Sequence, residues 1–406
     1  CIPSKTLLRP GEALQQAREA PGAAEAVDGK IVDAQAAFAW RDFQTSNYDD
    51  AGQVSWLESE GIDLLRGHGR ITAAGTVAVG ERTVTATHIV VATGSDPVIP
   101  PIDGLRELDG VWTNREVTGL KEVPRRLLVL GAGPVGVEMA LAVRRLGAEV
   151  ALVEGAEHVL SREPAPLGEA LGKALESEGV ELHLGVHATS ARRDGADYVL
   201  MLDDGEELRG DRLLVATGRS PRVDGIGLEN AGVTFDKHGI EIDGRCSAAE
   251  NVWAIGDVTG IWPLTYVGKY QGRVVAANIL GRPREANYDA VPRSVFTDPQ
   301  AAAVGVAEDR LSATVQMKAV ARTATYTRDY EDRPGFLTVL SDGEVVTGAY
   351  ALGPDAGEWL QQATLAIRAR VPLAVYEDTI QPFPTFSEAF LDVLTELGEK
   401  AAAARV

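Results

Sequence analysis

The sequence opens with a thiol beside residues that begin a helix, Cys1-Ile2-Pro3-Ser4-Lys5. Proline is favoured in the first turn of a helix because its missing N–H costs nothing there. Cys1 is therefore predicted to lie at the N-terminus of a helix over residues 4–20. The positive potential of that helix end favours a thiolate, and Lys5 adds a positive charge one turn on. The stretch predicts a reactive sulfur; the alternative is a small thiol buried at a chain start.

A glycine-rich loop between a strand and a helix is the second chemical signal. A strand at Arg126–Leu130 and a helix at Val137–Leu146 flank the loop residues Gly131, Ala132, Gly133, Pro134, Val135 and Gly136. This is G-x-G-x-x-G in the context that dinucleotide binding requires. In that pattern Gly131 makes the tight turn, Gly133 admits the pyrophosphate and Gly136 packs the helix on the strand. The diphosphate is expected at the helix N-terminus.

An acidic residue ends the next predicted strand, Ala148–Val153. Glu154 lies about twenty residues beyond the loop, where a carboxylate accepts a hydrogen bond from the ribose 2′-hydroxyl and repels a 2′-phosphate. Gly155 and Ser161 stand where users of NADPH carry arginine, although Arg162 is close by. The sequence therefore predicts NAD, with NADH preferred over NADPH.

Two further apolar strands end in the same small-residue turn. His88–Ser95 and Leu213–Pro221 both read strand-Ala-Thr-Gly, and Thr93, Gly94 and Gly218 are in these turns. This repeat is what two stacked domains of one ancestral type would leave. A third strand, Asn251–Val258, runs into Gly256-Asp257. A short carboxylate at a rigid strand end suits the binding of ligand hydroxyls; the alternative for Asp257 is a turn cap.

These segments together resemble the flavin-dependent pyridine nucleotide-disulphide oxidoreductases, the group of dihydrolipoamide dehydrogenase and glutathione reductase. The resemblance implies an α/β protein with two Rossmann-like dinucleotide-binding domains, for FAD and NAD, and an α+β C-terminal dimerisation domain. The implied boundaries are 1–118 for the FAD-binding domain, 119–247 for the NAD(P)-binding domain, 248–289 for a return to the FAD-binding domain, and 290–406 for the dimerisation domain.

The resemblance also implies roles for single residues. Cys1 would be the flavin-facing sulfur of a redox pair whose partner precedes residue 1, so we expect the sequence to be part of a longer protein. Lys5 would pair with Glu138 near the flavin; the alternative for Glu138 is a solvated helix face. Asp257 would hold the ribityl hydroxyls. The remaining implied cofactor contacts are Gly69, Thr93, Gly94, Gly218, Gly256, and Leu264, Thr265 and Tyr266 before a helix over Val267–Ile279.

One segment departs from the family pattern. Gln381–Phe390 resembles the H-P-T-x-S-E segment of dihydrolipoamide dehydrogenase, in which the histidine is a general base oriented by the glutamate. Phe383 replaces that histidine, Glu388 remains as a catalytic candidate, and no histidine follows His238. Because a phenyl ring carries no proton, we expect dithiol oxidation to lose base catalysis, usually worth about 10²–10⁴-fold.

Composition limits the class of protein. The 406 residues carry a net charge of −20, which argues against nucleic acid and acidic membranes as partners. The two cysteines, Cys1 and Cys246, cannot form a secreted disulfide framework, and Cys246 is expected to be structural. No metal site and no membrane-spanning run is predicted. We therefore expect a cytoplasmic protein, and the family resemblance implies a homodimer.

The remaining elements are predicted from pattern. They are a helix at Ala34–Leu57, short strands at Gly61–Arg66, Thr76–Val79 and Thr83–Ala86, a helix at Leu167–Ser177, a strand at Glu181–Leu184 and a hairpin at Tyr198–Arg209. The last domain is predicted as strands Val295–Thr297, Gln316–Thr323, Gly335–Ser341 and Glu344–Leu352 with helices at 354–370 and 387–403.

The leading prediction is an FAD-dependent oxidoreductase that passes electrons from NADH, with Cys1 in a probable redox disulfide, to a quinone, a dye or a disulfide. The first alternative is dihydrolipoamide dehydrogenase. The alternative from another class is a non-catalytic flavoprotein that senses redox state. Mercury is not expected as the acceptor, because no cysteine follows Cys246, whereas mercuric reductase has a C-terminal pair.

Overall fold

The protein is described by a computed structural model that covers residues 1–319 and 335–404. The chain forms two compact units. Unit 1 consists of Cys1–Asn47, Ile99–Thr217 and Asp289–Val406, and unit 2 of Tyr48–Val98 and Gly218–Tyr288. None of the helices in the described ranges combines the length and the apolar content that a membrane span requires.

The regular elements have these bounds in the described residues. The helices are α1 Ile2–Glu19, α2 Ala34–Gln44, α3 Ala51–Ser59, α4 Asn114–Thr118, α5 Pro134–Arg145, α6 Ala165–Ser177, α7 Thr265–Ile279, α8 Ala356–Trp359, α9 Gln361–Ala369, α10 Leu373–Glu377 and α11 Ala389–Ala403. The strands are β1 Gly69–Ala73, β2 Thr76–Val79, β3 Arg82–Thr85, β4 Ile89–Val91, β5 Ser95–Pro97, β6 Arg126–Leu130, β7 Glu149–Glu154, β8 Val180–Leu184, β9 Ala188–Asp194, β10 Asp197–Leu202, β11 Glu207–Gly210, β12 Arg212–Val215, β13 Arg219–Pro221, β14 Phe235–Asp236, β15 Gly239–Ile240, β16 Ser247–Ala249, β17 Val252–Ala254, β18 Arg293–Val295, β19 Gln300–Gly305, β20 Leu311–Gln316, β21 Phe336–Ser341 and β22 Val346–Gly353.

A four-stranded parallel sheet in the order β12-β6-β7-β8 forms the centre of the predicted NAD(P)-binding domain in unit 1. Its inner strand β6 is apolar from Leu127 to Leu130 because both faces are covered there. Leu127 and Val129 pack in the cluster that includes helix α5, whereas Leu128 packs with β10 on the other face. The second layer is a three-stranded sheet, β11-β10-β9. The predicted hairpin is therefore confirmed, but its third strand was missed.

Helix α1 is held against helices α2 and α5 within unit 1. Leu7 and Leu8 are buried in the same core cluster as Phe38 of α2. Gly11 allows close approach to α5, because a Cβ atom at this position would lie 2.9 Å from the side chain of Arg145. The helix that begins next to Cys1 is thus anchored by its apolar face and by a small residue at the crossing.

The C-terminal part of unit 1 is the predicted antiparallel sheet with helices. Five strands pair in the order β18-β19-β22-β21-β20. Helix α11 covers one face with a stripe at helical spacing, in which Phe390, Val393, Leu394 and Leu397 are buried. The same core cluster contains Trp359 of α8 and Tyr376 of α10.

Unit 2 pairs the short strands that follow the two Ala-Thr-Gly turns. Strand β17 lies parallel to β4, and β13 pairs antiparallel with β5 so that Arg219 faces Pro97. Apolar residues of β4 and β17, among them Ile89 and Val252, share one core cluster. Helix α7 starts at Thr265.

Several sequence-based boundaries are wrong. The helix predicted over Ala34–Leu57 is broken, because Ser46, Asn47 and Tyr48 have positive φ angles between α2 and α3. No strand forms at Gly61–Arg66; its alternating Ile62 and Leu64 are exposed rather than paired. The alternation in this segment satisfied the strand pattern without a partner strand.

Differences in the last domain are smaller. The strand predicted at Gln316–Thr323 is wrong in its described part, because strand β20 ends at Gln316 and Met317–Ala319 form a short 3-10 helix; residues 320–323 lie outside the described residues. The helix predicted over 354–370 is divided into α8 and α9. Strand β19 was missed because its alanine-rich sequence lacks the β-branched residues that identify strands.

Candidate functional site

Cys1 is the N-cap residue of α1, as its sequence context predicted. The residue is exposed, and no disulfide joins it to Cys246. Its carbonyl oxygen accepts hydrogen bonds from the Ser4 hydroxyl at 3.0 Å and from the Lys5 backbone N–H at 3.1 Å. The sulfur therefore lies at the positive end of an 18-residue helix.

Lys5 and Glu138 form the ion pair that the resemblance implied. The other carboxylate oxygen, Oε1 of Glu138, accepts a hydrogen bond from the Phe296 backbone N–H at 2.9 Å. The Lys5 ammonium also lies 4.6 Å from the centre of the Phe296 ring. Glu138 is 5% exposed, so its charge is stabilised by these two donors. The solvated-face alternative for Glu138 is wrong, whereas its role near a flavin stays a prediction.

The three glycines of the nucleotide loop differ in the space around them. Gly131 has a φ of +102°, and a Cβ there would lie 2.7 Å from the Ala216 carbonyl oxygen. A Cβ on Gly136 would lie 1.9 Å from the carbonyl oxygen of Gly131, whereas Gly133 has open space within 4 Å. Gly133 is the N-cap of α5 and Pro134 begins that helix. The open position therefore lies at a helix N-terminus, where backbone N–H groups without intrahelical partners favour an anion.

Glu154 ends β7 beside this loop. Its Oε2 atom accepts a hydrogen bond from the Ala132 N–H at 2.7 Å, and its Oε1 atom accepts one from the Ala156 N–H at 3.1 Å. A carboxylate offers about four acceptor sites, so capacity remains for a ligand hydroxyl. Val135 lies in the first turn of α5, and the exposed Arg162 lies beyond the loop that follows Glu154.

In unit 2, Asp257 is held by residues that sequence reasoning missed. The Ser95 hydroxyl donates to its Oδ2 atom at 2.5 Å, and the Arg219 Nε atom lies 3.6 Å from the same oxygen. Arg219 also donates to the Ser95 hydroxyl at 2.7 Å and to its carbonyl oxygen at 2.5 Å. The carboxylate is partly exposed, with its charge fixed by one hydroxyl and one guanidinium.

Within unit 2, the first Ala-Thr-Gly turn is hydrogen-bonded to Arg222, which lies four residues after Gly218. Thr93 donates its hydroxyl hydrogen to the Arg222 carbonyl oxygen at 2.8 Å, and Gly94 accepts from the Arg222 N–H at 2.9 Å. Gly218 has a φ of +135°, so its backbone conformation favours glycine. The signal for Ser95 and Arg219 was the repeat itself, because each lies directly after an Ala-Thr-Gly turn.

The turn at Gly256 packs against helix α7, whose first residues were predicted to contact a cofactor. Gly256 has a φ of +76° and donates its N–H to the buried Gln271 side chain at 2.6 Å. A Cβ on Gly268 would lie 3.2 Å from the Gly256 Cα atom, so the helix start packs tightly on this turn. Leu264 is the N-cap of α7, Thr265 starts it, and Tyr266 is exposed.

Gly69 and Cys246 are two further residues for which the sequence predicted a role. Gly69 begins β1, and a Cβ there would make only an ordinary 3.9 Å contact with Val77. Close approach of a cofactor at Gly69 therefore stays a prediction. Cys246 is fully buried, and desolvation by this burial raises the pKa of its thiol. That environment supports the structural role expected for Cys246.

The departure at Phe383 has a structural counterpart. Phe383 is 73% exposed, so its ring is not a core residue. Glu388 is half-buried, and its Oε2 atom is inaccessible to solvent and makes no hydrogen bond within the described part of the chain. A buried carboxylate oxygen without a donor is costly. The glutamate remains, but the donor that the family pattern pairs with it is missing.

One group of possible metal ligands occurs among residues 1–319 and 335–404, formed by Glu181, His183 and Glu206. The two ring nitrogens of His183 lie 2.9 Å from Glu181 and 3.3 Å from Glu206. Arg126 also pairs with Glu181 at 2.5 Å. These contacts, together with the Arg126–Glu181 ion pair, account for how the three side chains are placed.

Comparisons with known proteins agree on one family. Residues 1–272 match the model for pyridine nucleotide-disulphide oxidoreductases, and residues 291–394 match the dimerisation domain of that family. A dihydrolipoyl dehydrogenase from Thermus scotoductus is 32% identical, over 99% of this chain and 89% of the relative. A mercuric reductase from Shewanella putrefaciens is also 32% identical, over 96% of this chain and 72% of the relative.

Solved structures give the same answer. The HOCl-induced flavoprotein disulfide reductase RclA from Escherichia coli, solved as a Cu(II) complex, superimposes with a TM-score of 0.82 at 26% identity, covering 97% of this chain and 89% of RclA. LpdA from Mycobacterium tuberculosis superimposes with a TM-score of 0.82 at 25% identity, covering 98% and 90% of the two chains. The predicted combination of two nucleotide-binding folds and a dimerisation domain agrees with these matches.

Proposed function

The chain belongs to the pyridine nucleotide-disulphide oxidoreductase family, and from that premise we propose that it oxidises NADH for an acceptor that needs no protein base. Its relatives are named oxidoreductases, and the family uses FAD and a pyridine nucleotide. When bound, FAD would supply the redox chemistry, because it can take up a hydride and give up electrons. The match to a dimerisation domain supports a homodimer.

The nucleotide donor is proposed to bind at the loop before α5. The open space at Gly133 and the free helix end fit a diphosphate. Glu154, already held by the Ala132 and Ala156 N–H groups, has acceptor capacity for a ribose hydroxyl. Its negative charge disfavours a 2′-phosphate, which supports NADH over NADPH.

Cys1, Lys5 and Glu138 are proposed to prepare the sulfur and the flavin environment. Glu138 positions the Lys5 ammonium through their ion pair, and Phe296 fixes the second carboxylate oxygen. A positive charge one turn into α1 stabilises negative charge near the helix N-terminus, where Cys1 lies. In unit 2, Asp257 has the acceptor oxygens and the ordered surroundings that binding of flavin hydroxyls requires.

The observation that carries the choice of acceptor is the pair of Phe383 and Glu388. A base at position 383 would remove a proton from a thiol, and phenylalanine cannot do so. The exposed ring of Phe383 and the unpaired Oε2 atom of Glu388 both fit a site that has lost this dyad. An acceptor that takes electrons without thiol deprotonation, such as a quinone or a dye, requires no such base.

Dihydrolipoamide dehydrogenase is the second candidate. A relative with this name is 32% identical over nearly the whole chain, and Glu388 of the dyad is still present. A thiol substrate would then have to ionise without help from position 383.

A steady-state comparison of acceptors and donors tests the proposal on the full-length flavoprotein. We expect NADH oxidation with a benzoquinone or a dye, and dihydrolipoamide oxidation slower by about 10²-fold or more, the usual value of a lost general base. Turnover of dihydrolipoamide as fast as that of the quinone would overturn the proposal. Absence of NADH oxidation with every acceptor would favour a redox sensor instead.

A further inference from the structure

The side chain of His187 occupies the space that a side chain at position 155 would fill. A Cβ built on Gly155 would lie 2.2 Å from the His187 Cε1 atom and 2.6 Å from its Nδ1 atom. Gly155 does not have a positive φ, so backbone strain does not explain the glycine. The glycine directly after Glu154 thus lies against the imidazole ring of His187.

Backbone hydrogen bonds hold His187 in this place. The Val186 N–H donates to the Glu154 carbonyl oxygen at 3.3 Å, and the Gly185 N–H donates to that of Ala156 at 2.9 Å. Two hydrogen bonds join His187 to Asp203. The His187 backbone N–H donates to the Asp203 carboxylate at 3.1 Å, and the Asp203 backbone N–H donates to the His187 carbonyl oxygen at 2.9 Å. The segment after β8 is thus tied to the end of β7 on one side and to the β10–β11 turn on the other.

The ring itself is available to a ligand. His187 is exposed, and its imidazole makes no hydrogen bond to any of the residues that the structure describes. It lies on the β8 side of the sheet edge, where β7 ends at Glu154. The ring therefore adjoins the place proposed for the adenosine ribose.

The chemistry of a hydroxyl group explains what such a ring adds. A ribose 2′-hydroxyl both donates and accepts, whereas the Glu154 carboxylate only accepts. An imidazole N–H on the other side would satisfy the hydroxyl oxygen. We propose that His187 is a second specificity-determining residue of the nucleotide site, donating to the 2′-hydroxyl that Glu154 holds from the opposite side. This inference rests on the proposed NADH function.

The test is a thermodynamic cycle in which the His187 side chain and the ribose 2′-hydroxyl are removed singly and together. Binding to the full-length flavoprotein is measured by calorimetry. The probes are NAD⁺ and 2′-deoxy-NAD⁺, which bind without reaction. His187→Ala should raise the Kd of NAD⁺ by about 3–10-fold, the value of one hydrogen bond, and should leave the Kd of 2′-deoxy-NAD⁺ within about twofold of the unmodified protein. His187→Gln, which keeps an N–H donor, should restore most of the NAD⁺ affinity.

Matched variants separate the outcomes. His158→Ala removes a nearby histidine whose Nδ1 atom lies 2.9 Å from the Val159 carbonyl, and it should leave the NAD⁺ affinity unchanged. Equal losses for both nucleotides in His187→Ala, or no loss for either, would overturn the role of His187. Glu154→Ala separates this failure from failure of the NADH site: if it also leaves NAD⁺ binding unchanged, the proposed nucleotide site itself is wrong.

Discussion

Replacing Phe383 by histidine is expected to raise the rate of dihydrolipoamide oxidation by about 10²–10⁴-fold, because the change supplies a general base. That gain corresponds to a barrier lower by about 3–5 kcal/mol. The substitution costs little packing, since Phe383 is 73% exposed. Glu388 is the natural partner for the new ring, because its Oε2 atom has no donor in the described part of the chain.

The control for this variant is Phe383→Asn, which introduces a polar side chain without a base. Flavin content and melting temperature verify that both variants fold, and the initial rate of dihydrolipoamide-dependent NAD⁺ reduction is measured. The double variant Phe383→His with Glu388→Gln should lose part of the gain, because an amide orients the ring without stabilising its charge. If Phe383→Asn raised the rate of dihydrolipoamide oxidation as much as Phe383→His, the loss of a general base would not explain the slow rate of the unmodified protein.

Replacing Gly136 by alanine is expected to abolish nucleotide binding and to lower stability. The new Cβ atom would lie 1.9 Å from the Gly131 carbonyl oxygen, and a backbone atom cannot move away as a flexible side chain can. Overpacking of this kind costs about 1–3 kcal/mol or more. We expect the Kd of NAD⁺ to rise by about 10²-fold or more because the loop and helix α5 separate. Calorimetry and thermal unfolding measure the two effects.

Gly133→Ala is the matched control for the same chemical change. No atom lies within 4 Å of the new Cβ atom, and the φ of −70° suits alanine. The melting temperature should therefore stay unchanged, while the methyl group obstructs the approach of a diphosphate and weakens NAD⁺ binding by about tenfold. Unimpaired NAD⁺ binding by Gly133→Ala would show that the phosphates do not bind at this helix end.

The parts of the site that could be predicted from sequence are those formed by residues close to one another in the chain. The glycine loop, Glu154 and the helix start at Cys1 each lie within one strand, turn or helix end, so short-range pattern sufficed. The Lys5–Glu138 pair spans 133 residues and was available only through the family resemblance. Strands in the C-terminal domain were predicted from runs of apolar residues, whereas their antiparallel arrangement came from the family resemblance.

The contacts that sequence reasoning missed join distant segments. Ser95 lies 162 residues from Asp257, and Arg219 lies 124 residues from Ser95. His187 reaches Gly155 because β8 and β7 run side by side. Each of these contacts depends on strand order and register, which a single sequence does not encode locally. The unpaired oxygen of Glu388 likewise depends on burial that no pattern reports.

The most direct test of the central claim is an anaerobic stopped-flow comparison of two electron donors with the full-length flavoprotein. NADH and dihydrolipoamide are mixed separately with the oxidised protein, and loss of the visible flavin absorbance is followed. The account predicts fast reduction by NADH and reduction by dihydrolipoamide slower by about 10²-fold or more, since the base at position 383 is absent. Comparable rates with the two donors would contradict it.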